Sequence, residues 1–280
     1  MIKVNTVKEK FIKFKHHPQI IIGGVILIII FLAAVFAPIL TKYNPLEVIA
    51  KDRLKGPSLI HIMGTDEYGR DVFCRLLFGA RISIKIGICV TVLSTIFGVL
   101  IGVIAGYYKK VDNIVMRIID GLMAFPSIII AITLCAIGGA GTSNIIFALT
   151  FAYFPTMVRI TRGSVITIKE WECVESARAI GAKDRYIIFK YIIRNALSPI
   201  IVQETFIFAW AILDEAALSF LGVGIEAPNP SWGIMVTEAR KFMEIAPWQI
   251  LCPGIAIIAT VLGLNLLGDG FRDMLDPKLK

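Results

Sequence analysis

The chain predicts an all-α membrane protein with six transmembrane helices. Hydrophobic residues fill 56% of its 280 positions and charged residues 18%, its mean hydropathy is strongly positive, and long uncharged runs recur between short polar segments. A soluble domain of this length carries more charge and a weaker apolar bias.

The first run, Ile20 to Leu40, holds no charged residue. At about 1.5 Å per residue it is long enough to cross a hydrocarbon layer of ~30 Å as a helix. Five more spans are expected at Ile86 to Tyr108, Ile118 to Ile137, Thr142 to Val158, Ile200 to Gly222 and Ile245 to Gly268. Each is helical, because a chain in lipid must satisfy its own backbone hydrogen bonds and no run alternates like a barrel strand. The chain then divides into a basic tail (1–19), a first helix (20–40), an outer loop (41–81), a five-helix core (82–268) that includes an inner loop (159–199), and a second tail (269–280).

Lys3, Lys8, Lys10, Lys13 and Lys15 precede the first run, and Ala34-Val35-Phe36-Ala37 resembles a signal cleavage site. The run exceeds the ~7–15 apolar residues of a signal peptide and further spans follow, so the reading is a retained anchor. Lys and Arg favour the segments that are inner when both tails lie in the cytoplasm, by roughly two to one. The net charge of +8 thus reads as topology, with lipid and not nucleic acid as the contact. Cys74, Cys89, Cys135, Cys173 and Cys252 are scattered, without a CxxC pair or a Cys/His cluster, and read as structural thiols.

Within the inner loop, Trp171, Val174, Ala177 and Ile180 recur at helical spacing among Glu172, Glu175, Arg178 and Asp184, and Gly181 is placed to end the helix. Such a helix either lies on headgroups beneath its own bundle or docks a cytoplasmic partner. Glu175-Ser176-Ala177, followed by Gly181 and Asn195, resembles the EAA loop of ATP-binding-cassette importer permeases. The resemblance implies a coupling helix seated in a cleft of an ATPase subunit, with Glu175, Ala177 and Gly181 as its contact elements. Ser176 stands where a second alanine is usual, and Ile193-Arg194 where Leu-Pro is common.

Three further stretches resemble the C-type permeases of the dipeptide, oligopeptide and nickel importer group: "GTDEYGRDVFCRLLFGARIS" from Gly64, "EAALSFLGVGIEAPNPSWG" from Glu215 and "NLLGDGFRDMLDPKLK" from Asn265. The first holds the most polar run in the chain. On the outer side its Asp66, Glu67, Arg70 and Asp71 stay hydrated or pair with one another, Arg75 and Arg81 extend the set, and Gly64, Gly69 and Gly79 permit tight turns. It serves either as a polar cap on the bundle or as a contact for a partner.

The resemblance implies a bundle like that of type I importer permeases. It also implies a second permease subunit, two ATP-binding subunits that hold ATP and Mg, and an extracellular substrate-binding protein in a bacterial or archaeal membrane. The sequence has no G-x-x-x-x-G-K-[ST] loop, no G-x-S-x-G elbow and no H-E-x-x-H helix, so the expectation is a transport subunit without an ATPase site, cofactor or metal of its own. Peptides are the expected cargo and nickel or a metal chelate the alternative. An ion-coupled carrier would show internal repeats and a broken midplane helix, which are not evident.

Gln203, Glu204, Asp214 and Glu215 fall inside the fifth run, where ionisable groups are costly. Glu204 and Glu215 are eleven residues apart and share a helical face, so they either line a water-filled route or tie the bundle together. Asp120, Asn265 and Asp269 read as anchors at the inner boundary. Gly98, Gly102 and Gly106, four apart, make a small-residue face suited to close helix packing. Pro126, Pro155, Pro199 and Pro253 read as helix boundaries or packing kinks.

Overall fold

The computed structural model describes residues 18–226 and 228–275. Most of the basic tail and the final Asp-Pro-Lys-Leu-Lys lie outside the described residues. Among those described, the regular structure is helical: α1 (Pro18–Val35), α2 (Ala37–Leu40), α3 (Val72–Tyr107), α4 (Lys109–Met123), α5 (Ser127–Gly138), α6 (Thr142–Lys169), α7 (Glu172–Ala179), α8 (Asp184–Ile187), α9 (Arg194–Phe220), α10 (Trp232–Ala239) and α11 (Trp248–Leu275). A π-helical turn, Ile188–Ile193, joins α8 to α9.

Five helical segments are long and apolar enough to cross a membrane, and α4 with α5 forms a sixth if the bent pair is one span. The run Ile118 to Ile137 is therefore not one straight helix: α4 and α5 meet at 83°. Pro126 is the cause, since it lacks an amide hydrogen and disfavours helical geometry at Phe125, and it stands in the N-cap position of α5 with extended backbone (ψ 134°). The strongly amphipathic α4 instead turns Asp112 and Asp120 to α6, where Arg162 and Arg159 pair with them.

Two other expected boundaries move. The loop expected over 41–81 ends at Asp71, because the Asp71 side chain caps α3 by accepting from the Cys74 amide at 2.7 Å. Arg159 to Lys169 stays helical as the C-terminal end of α6, so only a short stretch around α7 departs from the long helices. Pro155, Pro199 and Pro253 all lie inside helices.

The core forms where α3 lies along α6. A methyl group on Gly102 would come within 2.7 Å of Thr161 Cβ and 2.8 Å of the Val158 carbonyl oxygen, and one on Gly106 within 2.7 Å of Val165 Cβ. Only glycine lets the two backbones approach this closely, as the spacing of four predicts. Ile145, Leu149 and Met157 of α6 are fully buried in the resulting cluster, and Ile207 of α9 closes it from the side. A second cluster joins α1 and α11 to the other side of α3 through Ala34, Ile84, Trp232 and Leu264.

Candidate functional site

At one end of the bundle, α7 is ended by its glycine. Gly181 adopts φ +82°, the Ala182 amide donates to the Ala177 carbonyl at 3.0 Å, and the Gly181 amide donates to Arg178 at 3.0 Å. This pair of bonds is a Schellman motif, which needs a left-handed residue at that position. Val174 and Ala177 are buried against the bundle, while Glu172, Glu175 and Arg178 point outward. Ala177 is thus a seat for the helix and not an outward contact, because its small side chain is what lets α7 lie close. Trp171 and Ile180, expected on the same covered stripe, are exposed, Ile180 to 86%. Asp184 anchors the segment to α3 by accepting from Tyr107 at 2.6 Å.

At the opposite end the polar octet is folded inward. Asp66 accepts from the amides of Tyr68 and Arg70, both at 2.9 Å, and from the Arg70 guanidinium at 2.5 Å. Arg70 and Arg75 both donate to Glu238 of α10, at 2.9 and 2.8 Å. Gly64 and Gly69 adopt positive φ, which makes the turn possible; Gly79 makes no turn and lies in α3 against Ser231. Asp71 receives His61 Nδ1 at 2.9 Å besides capping α3, and Trp248 of α11 donates to the Thr65 carbonyl at 3.2 Å. A hydrogen bond from Lys55 holds the nearby Asp52 carboxyl below its usual range. With Asp66, Arg70, Asp71 and Arg75 all buried, the block is a cap that ties α3, α10 and α11 together. Glu238 and His61 carry no sequence signal for this role, since Glu238 lies 168 residues from Arg70.

At membrane depth, Glu215 is fully buried. Ser83 of α3, Ser219 of α9 and Ser231 before α10 donate to its carboxylate at 3.1, 3.0 and 2.9 Å. Glu215 therefore joins three elements and faces no open route in this structure. Glu204 is half-buried and does not line the cleft between α5, α6 and α9.

The open face lies about 100° around α9, one residue earlier in phase. There Gln203, Phe206, Ile207 and Trp210 meet Ser127 of α5 and Tyr153 and Thr156 of α6 around a cleft of about 320 Å³. Asp214 follows Trp210 by one turn and accepts from the Tyr153 hydroxyl at 2.5 Å.

A helical bundle with segments long and apolar enough to span a membrane, an exposed glycine-ended helix at one end and a cleft between α5, α6 and α9 has the features of a transport permease. The chain belongs to the binding-protein-dependent transport system inner membrane component family, whose pattern matches residues 98–280. Residues 7–57 match the N-terminal transmembrane domain of oligopeptide transport permease C. A putative peptide transport system permease protein of Brucella abortus is 46% identical over 96% of this chain and 90% of its own. The dipeptide transport system permease protein DppC of Alkalihalophilus pseudofirmus is 44% identical over 98% and 90%. A glutathione transport system permease protein of Pectobacterium atrosepticum is 40% identical over 98% and 91%.

Among solved structures, an inward-facing conformation of the MetNI methionine ABC transporter superposes with a TM-score of 0.60 at 17% identity, covering 72% of this chain and 96% of the other. That likeness establishes the type I permease fold. The chain is a multi-pass transport component of the cytoplasmic membrane.

Proposed function

We propose that the chain is one of two permease subunits of an ATP-driven importer of short peptides. The second permease supplies the other half of the path, two cytoplasmic subunits bind ATP and Mg, and an external binding protein delivers the cargo. Both ends of the chain and α7 lie on the cytoplasmic side, with the Asp66–Arg70–Asp71 cap outside.

The observation that carries this reading is α7. A helix of eight residues, seated on the bundle by Val174 and Ala177 yet projecting Glu175 and Ile180, presents a charged and apolar surface that its own chain leaves bare. Glu175 is the contact and Gly181 sets where the helix ends. When the ATPases close on ATP they carry α7 with them, and α6 and α9, which flank it in the chain, tilt to open the path on one side or the other. Peptide cargo is supported by relatives named for peptide and dipeptide transport.

Uptake of labelled dipeptides, and separately of nickel with and without chelator, tests the reading in cells lacking their own importers and expressing this chain with its partner subunits. Peptide uptake is expected. Nickel uptake alone would keep the machine and replace the cargo, and uptake of neither would overturn the reading.

A further inference from the structure

Asp214 and Glu215 are adjacent carboxylates with opposite surroundings. Glu215 is satisfied by three serine hydroxyls, whereas Asp214 receives one hydrogen bond on Oδ2, from Tyr153. Among the described residues nothing donates to Asp214 Oδ1. A carboxylate at membrane depth is costly unless it meets water or a cation. Gln203, Ile207 and Trp210 of α9 wall the cleft, and Asp214, four residues beyond Trp210 on the same stripe, adjoins its end through the cleft-lining Tyr153.

The lining selects the chemistry of what fills it. No lysine or arginine lines the cleft, Trp210 and Phe206 offer aromatic faces, and Ser127, Thr156 and Gln203 offer hydrogen bonds. Aromatic faces beside a carboxylate suit an organic ammonium group. A bare divalent metal needs several protein ligands, and among the described residues no group of three His, Cys, Asp or Glu could hold one. The volume is at the lower end of small-molecule sites, room for the end of a short peptide.

We propose that Asp214, oriented by the Tyr153 hydroxyl, receives the α-ammonium group of a peptide in transit at one end of the cleft, and that the peptide lies along Trp210 and Thr156 towards Gln203. This rests on the peptide-importer reading above.

The test is uptake of labelled dialanine into vesicles containing the complete importer and its binding protein, with wild type, Asp214→Asn and Asp214→Glu. Asparagine keeps the shape and still accepts from Tyr153, so only the charge is removed. Asp214→Asn is expected to lower the uptake rate about tenfold, the factor that 1.4 kcal/mol represents, with the melting temperature of the purified importer unchanged. Asp214→Glu is expected to restore most of the rate. Asp214→Asn uptake equal to wild type would overturn the inference. So would a fall in melting temperature parallel to the loss, which would make Asp214 a structural residue. If wild type takes up no peptide, the peptide reading itself fails, and the inference with it.

Discussion

Glu215 holds α3, α9 and α10 by accepting from three serine hydroxyls, which in turn accept from the amides of Trp232, Ile225 and Ile234, so its removal leaves three buried hydroxyl donors without their acceptor. Glu215→Ala is expected to destabilise the protein by about 2–4 kcal/mol, and Glu215→Gln, which can both accept and donate, by less than half of that. Thermal denaturation of the purified chain checks the ranking; equal stability of all three proteins would refute the hub. The sequence displayed the carboxylates of this helix and their eleven-residue spacing. It could not display their phase, because which face is covered is decided by Ser83 and Ser231 on other elements. For the same reason the octet was visible as a polar block, while Glu238, the partner shared by Arg70 and Arg75, was not.

Among the elements, the pairing of α3 with α6 depends on glycine and the end of α7 on a left-handed residue. Gly102→Val would push into Thr161 and the Val158 carbonyl, and is expected to cost about 1–3 kcal/mol, seen as a lower temperature of heat-induced aggregation. Unchanged aggregation would mean that the helices do not meet here. Both glycine roles were legible, since spacing of four and a glycine after an amphipathic turn are local signals. The break between α4 and α5 was half legible: Pro126 was a visible boundary, but an apolar run on both sides of it imitates one continuous span. The early start of α3 was hidden because Arg75 and Arg81 interrupt its apolar first turns, and the burial of Arg75 depends on Glu238 of the distant α10.

Across the whole molecule, the proposed topology separates two exposed positions, Leu59 before α3 and Ile180 after α7. With the native cysteines replaced, Cys173 included because it is exposed, Leu59→Cys is expected to react with an impermeant thiol reagent in intact cells. Ile180→Cys is expected to react only after the cells are opened. The reverse pattern would invert the protein in the membrane. The number of candidate spans follows from apolar length, a property of the chain alone, and the proposed direction rests on the placement of Lys and Arg. Where cargo passes does not, because a path between subunits is shaped by surfaces that one chain only half supplies.

The claim that most needs testing is that α7 transmits the work of ATPases to this bundle. ATP-dependent peptide uptake should be compared between wild type and Glu175→Lys in the same reconstituted importer. Glu175 is exposed, so the substitution leaves the fold intact. At least about a tenfold loss of uptake is expected, equivalent to ~1.4 kcal/mol of lost coupling. Uptake by Glu175→Lys at the wild-type rate would contradict the account.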